Sequence, residues 1–233
     1  MDHKRLTLFA GHYGSGKTNI ALNWACWLRA QGLPITVADL DIVNPYFRTK
    51  DAEGMLAEQG IDLIVSAFAN SNVDAPAMPK EVYGLVDGRD SYGVLDIGGD
   101  DRGALALGRY VPSIIAEDDY EMLFVANAAR PLTRTVDDAL EVFYEIQNAC
   151  RLPFTGIVNN TNLGPETTAG TVLASVPYAE GLARATGLPI KMTTVEKRLV
   201  TELDGRVENL FGLSILELYY MEKEGTSLGK INL

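Results

Sequence analysis

Short apolar runs of strand length alternate with longer stretches in which apolar residues recur every three to four positions. Leu6-Thr-Leu-Phe-Ala10 reads as a buried strand. Residues 19–31 place Ile20, Ala21, Trp24, Trp27 and Leu28 on one face of a helix, and Gly32 stops it. The same alternation predicts strands at 35–38, 62–65, 92–97, 122–126 and 154–158, with a short last strand at 189–192. Between them it predicts a short helix near 51–59, a helix over 103–110 and an amphipathic helix over 135–150. In this last helix Val136, Leu140, Phe143, Ile146 and Cys150 share a face, and Thr135 with Asp138 forms an amino-terminal cap. Gly164-Pro165 opens a helical region that Pro177 is expected to interrupt, and 208–222 is read as a terminal helix. Residues 66–79, rich in Ala, Asn, Ser and Pro, read as a long loop. Strands alternating with helices predict an α/β fold, a mainly parallel β-sheet flanked by helices on both faces in a Rossmann-like three-layer arrangement. The length of 233 residues suits a single domain over 1–233.

The turn between the first strand and first helix carries candidate chemistry. Gly11-His-Tyr-Gly14-Ser15-Gly16-Lys17-Thr18 fits G-x-x-x-x-G-K-[ST], the phosphate-binding P-loop, in the strand–turn–helix setting that motif needs. Glycines at 11, 14 and 16 let the backbone close around a polyphosphate. The amides of the loop, including that of Ser15, and the positive end of the helix at Asn19 would hold its charge. Lys17 would reach the β- and γ-phosphates, and the Thr18 hydroxyl would bind Mg²⁺.

A nucleoside triphosphate with Mg²⁺ also needs acidic partners. Asp96 ends an apolar strand, the position of a Walker B aspartate close to the metal; an aspartate there also serves simply to cap a turn. Asp39 and Asp41, one residue apart, point the same way in extended backbone, so both would face one site unless they belong to a solvated turn. Gly98-Gly99-Asp100 follows Asp96 directly, either as a plain turn or with Asp100 placed to position a water. The P-loop, Asp39/Asp41, Asp96/Asp100 and Asn159/Asn160 all fall just past strand ends, the edge at which open α/β sheets bind ligands. Two arginines stand near these clusters. Arg48 would neutralise phosphate charge in cis or across a dimer, or lie along the surface beside Tyr46 and Phe47, and Arg130, in a loop that Pro131 fixes, would likewise lie near the nucleotide. Trp24 and Trp27 read as helix packing.

Composition narrows the partners. A net charge of −11 opposes non-specific binding to DNA or to anionic lipid. No apolar run reaches membrane-spanning length, and a cytoplasmic protein is expected. Cys26 and Cys150 form no C-x-x-C and read as buried, reduced thiols.

With these residues in hand, the chain resembles the deviant P-loop ATPases, the SIMIBI-class group of MinD/ParA partition ATPases, Mrp-type carriers, the nitrogenase iron protein and the CobQ/CobB proteins, over roughly residues 5–195. Asp39-Leu-Asp41-Ile resembles the D-x-D-I switch of MinD, and Asp41-Ile-Val-Asn-Pro45 the D-I-x-x-P of the Mrp type. The resemblance implies that Asp39 binds Mg²⁺ through water and that Asp41 orients the hydrolytic water. Asp96-Ile-Gly-Gly-Asp100 is similar to the D-x-x-G-D of the iron protein, whose aspartates serve the nucleotide switch. Ile157-Val-Asn159-Asn160 resembles a V-N-[KR] strand end whose Asn reads adenine, which implies Asn159 with Pro189 as the other wall of the base pocket.

The departures from the family pattern are specific. His12 stands where the family has its signature lysine, the cluster cysteines and the C-x-x-C are absent, and 208–222 is not a basic membrane helix. No iron–sulfur cluster is therefore expected. The expectation is an ATP- and Mg²⁺-binding switch with slow or partner-stimulated hydrolysis, a protein partner and a homodimer by family resemblance. The alternatives are an ATP-dependent biosynthetic enzyme of the dethiobiotin-synthetase or cobyrinate type, or a non-hydrolysing ATP-binding adaptor. Asn159-Asn-Thr-Asn162 lacks the aspartate that reads guanine in N-K-x-D, which favours ATP over GTP.

Overall fold

A computed structural model of the chain describes residues 1–40, 52–65, 80–98 and 107–214. Among these residues eight strands form one all-parallel sheet: β1 (Leu6–Ala10), β2 (Ile35–Leu40), β3 (Asp62–Val65), β4 (Tyr92–Ile97), β5 (Tyr120–Ala126), β6 (Gly156–Asn159), β7 (Ile190–Glu196) and β8 (Leu210–Leu213). Their spatial order is β3-β2-β4-β1-β5-β6-β7-β8. The helices are α1 (Lys17–Ala30), α2 (Glu53–Glu58), α3 (Lys80–Asp87), α4 (Val111–Glu117), α5 (Val136–Cys150), α6 (Ala169–Thr186) and α7 (Lys197–Leu203). The expected α/β architecture is therefore present.

Both sheet faces are covered, so the strands need apolar residues on both sides rather than alternation with polar ones. One core lies under α1 and α2, where Phe9, Val37, Val94 and Val125 meet Ile20, Trp24, Leu28 and Leu56. The other lies under α3, α4, α5 and α6, where Leu8, Leu95, Phe124 and Ile157 meet Val82, Ile114, Phe143 and Leu182. Trp24 and Trp27 stack with centroids 4.6 Å apart and pack on Phe211 of β8. At the amino edge of the sheet the Arg5 guanidinium is buried, paired with Glu117 and bonded to the carbonyls of Leu85, Val86 and Ser91, which ties α3 and α4 to β1.

The expected strands at 62–65 and 92–97 and the first strand match the observed bounds, and Thr135 caps α5 in a reciprocal box with Asp138. Four expectations about elements change. Pro177 does not interrupt α6, which runs unbroken from Ala169 to Thr186. Pro177 is exposed, so water can solvate the carbonyl that its missing N–H frees. The strand starting near 189 extends to Glu196 and is not the last. Residues 208–214 are not helical: Leu210–Leu213 is edge strand β8, its buried Phe211 and Leu213 alternating with Leu210 and Gly212. Gly108–Tyr110 is a turn leading into α4 rather than the end of a helix over 103–110. The remainder of that helix, the 66–79 loop and residues 215–222 lie outside the described residues. Cys26 and Cys150 are free thiols, half-buried and buried.

Candidate nucleotide site

The P-loop leaves the centre of the sheet, with β4 on one side of β1 and β5 on the other. The chain reverses its lateral direction here, passing from β1 out to β2 and later back across to β5, which opens a crevice at the carboxyl edge. Gly14 and Gly16 have φ of 75° and 92°, a conformation side chains resist. Gly11 has no room for one either: a Cβ would lie 2.4 Å from the Val125 carbonyl oxygen. Gly16 serves as the N-cap of α1 without any side-chain cap, so the first-turn N–H groups of that helix face the loop with no side-chain acceptor. Lys17, Thr18 and Ser15 are buried, and Asn19 follows on the half-exposed side. His12 bonds through Nδ1 to the Tyr13 carbonyl, 2.9 Å away, and so lies along the loop.

The acidic residues arrive by strand alternation. On β2, Ile35 and Val37 face the α1 core while Ala38 and Leu40 face the other, which puts Asp39 on the α1 side. On β4, Val94 faces α1 while Leu95 and Ile97 face away, so Asp96 also lies on the α1 side. The two strands pair with Asp39 opposite Asp96, so two buried carboxylates stand side by side, about 4.8 Å apart at the backbone. Thr18 Oγ1 donates to Asp96 Oδ2 at 2.5 Å, which brings the P-loop hydroxyl and the strand-end carboxylate together. Adjacent carboxylates repel unless protonated or met by a cation.

The structure separates the two asparagines at the end of β6. Asn159 is turned into the protein: Nδ2 donates to Ser175 Oγ at 2.8 Å, and Oδ1 accepts from the Thr161 hydroxyl at 2.8 Å. Asn160 is the one that meets the P-loop. Its Nδ2 donates to the Ser15 carbonyl at 2.6 Å, and its Oδ1 accepts from Thr194 Oγ1 at 2.6 Å. Pro189 stands at the amino end of β7, beside Ile157 at the start of β6, on the sheet edge away from the phosphate loop. The part of β7 that reaches the carboxyl edge is Thr194–Glu196, so Pro189 is not brought together with the loop. Neither the Asn160 clamp nor Thr194 was singled out from the sequence; the Asn-Asn doublet carried the only signal. Asp41, Asp100 and Arg48 lie outside the described residues.

The residues present fit a polyphosphate with Mg²⁺. At Gly11 and Gly16 the loop backbone runs too close to Val125 and Asn160 to carry a Cβ, so the loop conformation depends on glycine there. Ser15 Oγ on the loop and Asn127 Nδ2 at the end of β5 are buried polar atoms without a hydrogen-bond partner among the described residues. No group of three or more His, Cys, Asp or Glu able to hold a metal occurs among the described residues. Mg²⁺ bound with phosphates uses one or two carboxylates and a hydroxyl, the donor set that Thr18, Asp96 and Asp39 offer.

No protein family model matches the chain, and no curated protein matches it. Among solved structures it is similar to the signal recognition particle receptor FtsY of Elizabethkingia anophelis, solved in complex with GDP, at 16% identity and a TM-score of 0.53. It is also similar to the cell division protein FtsY of Thermotoga maritima at 18% identity and a TM-score of 0.55. Chloroplast FtsY of Physcomitrella patens gives 16% identity and a TM-score of 0.55. These matches cover 84%, 82% and 83% of this chain but only 58%, 61% and 59% of those proteins. The likeness is one of fold, an α/β P-loop nucleotide-binding architecture. No helix among the described residues is long and apolar enough to cross a membrane.

Proposed function

We propose that the chain is a Mg-ATP-binding P-loop ATPase that works as a nucleotide-dependent switch, in the CobQ/CobB/MinD/ParA group of SIMIBI-class P-loop proteins. The observation that carries this reading is the contact of Thr18 Oγ1 with Asp96 Oδ2, with Asp39 in register beside it, at the mouth of a two-glycine left-handed loop. The loop amides and the uncapped start of α1 would bind the phosphates, with Lys17 beside them and Asn19 in the next turn. Thr18, Asp39 and Asp96 would hold Mg²⁺, which when bound neutralises charge on the β- and γ-oxygens during phosphoryl transfer. Asp41 or Asp100 would place the attacking water. Asn159-Asn-Thr-Asn162 offers no carboxylate to the N1–H and 2-amino groups of guanine, which supports adenine. Asn160 rather than Asn159 is then the asparagine nearest the nucleotide, since it is the one bonded to the loop.

Tyr13, Leu132 and Leu163, respectively 49%, 57% and 52% exposed, stand on the loops at this edge and support a protein-facing surface there, for a partner or a second copy. The test is phosphate release by the purified protein with Mg-ATP. Lys17→Ala is expected to abolish it and Asp41→Ala to lower it by at least tenfold, with ATP preferred over GTP in calorimetry. Turnover indifferent to both substitutions would refute hydrolysis at this site, and a preference for GTP would refute the adenine assignment.

A further inference from the structure

The Arg130 guanidinium lies against the phosphate loop although its sequence position is far from it. Nε donates to the Gly14 carbonyl at 2.9 Å, and a Cβ on Gly14 would lie 3.8 Å from Nε and 4.0 Å from Cζ. The group thus covers the outer rim of the loop, where the backbone passes through its first left-handed glycine. The turn that delivers it is fixed at several points. Arg130 N–H donates to the Asn127 carbonyl at 3.1 Å, and Ala129 N–H donates to Asn127 Oδ1 at 3.0 Å. Thr133 closes the turn with its hydroxyl on the Asn127 carbonyl at 2.7 Å, and its own carbonyl accepts from the Tyr178 hydroxyl of α6 at 2.8 Å. Pro131 begins the 3₁₀ turn and restricts φ beside Arg130.

A side chain held so firmly at its base, and bonded among the described residues through only one of its five N–H groups, has donors to spare. Among the described residues neither Nη makes a hydrogen bond. Arg130 is exposed, so a ligand can reach it. A surface brace for Gly14 would need only one N–H; a permanently charged planar fork suits phosphate oxygens.

We propose that Arg130 is a phosphate-contacting residue supplied in cis, which reads the terminal phosphoryl group of the bound nucleotide and so distinguishes triphosphate from diphosphate. This rests on the nucleotide reading above. The loop amides, the buried Lys17 and the start of α1 would take the inner phosphates. An exposed cation on the rim meets the phosphate that emerges from the loop. Its Nε–Gly14 bond fixes the plane of the guanidinium, leaving the Nη pair for phosphate oxygens.

The experiment is calorimetry of full-length protein with Mg²⁺ and either a non-hydrolysable ATP analogue or ADP, for wild type, Arg130→Ala, Arg130→Lys and Lys17→Ala. Circular dichroism and a thermal melt confirm that each is folded. Loss of a charge-assisted contact predicts that Arg130→Ala weakens the triphosphate analogue by about tenfold or more while ADP changes by less than about twofold. Arg130→Lys recovers part of the loss, because a lysine keeps the charge without the fork. Equal weakening of both nucleotides makes Arg130 a brace of the loop and overturns the proposal, as does no weakening of either. Wild-type protein that binds neither nucleotide overturns the nucleotide reading, and the inference falls with it. Wild type that binds, with Lys17→Ala impaired and Arg130→Ala unchanged, overturns only the inference.

Discussion

Substituting Gly16 by Ala tests how the phosphate loop is held. Gly16 sits at φ 92°, where a side chain is strained, at a cost of about 1–3 kcal/mol. The new Cβ would also lie 2.2 Å from Asn160 Nδ2, whose donation to the Ser15 carbonyl is buried. Asn160 must move, and the carbonyl left without its donor costs about 1–3 kcal/mol more. Gly16→Ala alone is therefore expected to lower stability by about 4 kcal/mol. Asn160→Ala alone removes the bonds to Ser15 and Thr194 and is expected to cost about 2–4 kcal/mol. In the double variant the collision is gone and the Ser15 bond can be lost only once, so the combined cost falls short of the sum by about 1–3 kcal/mol. Urea unfolding followed by far-UV circular dichroism on all four proteins gives the coupling energy directly. Additivity within about 0.5 kcal/mol would mean the two residues do not share the contact, and the account of the clamp would be wrong.

Two further outcomes follow from groups away from the site. Arg5→Ala leaves Glu117 buried without its cation and three carbonyls without a donor, so unfolding should occur about 3–5 kcal/mol more easily, with nucleotide affinity little changed because the pair lies at the opposite sheet edge. A loss below about 1 kcal/mol in the urea titration would refute that reading. Burial pushes the Cys150 thiol up to about 12 from its usual 9.0. Its folded pKa is raised, so the contribution is complete below pH 9 and is lost as pH rises toward 12, by up to about 1.4 kcal/mol per pH unit. Cys150→Ala should flatten that alkaline decline in denaturation midpoint, and an unchanged slope would assign the decline to other groups.

The P-loop was legible because its evidence is local: a strand, a glycine-rich turn and a helix in succession, with side-chain types that phosphate chemistry needs. Strand ends were legible where apolar runs met polar residues, so Asp39 and Asp96 could be placed on one edge. Their being neighbours could not be read, because β2 and β4 are separated by β3 in the chain and pair only in the sheet. Asn159 and Asn160 show the limit most clearly. Adjacent identical residues at a strand end have the same composition signal, and alternation alone decides that one turns to Ser175 and the other to Ser15. Family resemblance puts Pro189 at the base pocket, whereas strand direction and register set it at the amino edge.

The terminal elements failed for a related reason. Residues 210–213 carry apolar residues compatible with either helix or strand, and pairing with β7 together with the aromatic contact of Phe211 on Trp24 settles them as a strand. By itself the sequence determined the class of fold and the chemistry of the phosphate loop, since both rest on short-range pattern and on residue type. Which carboxylates stand side by side, which asparagine grips the loop and which arginine lies over Gly14 were decided by the tertiary structure, because each joins segments whose separation along the chain carries no information about their distance in space.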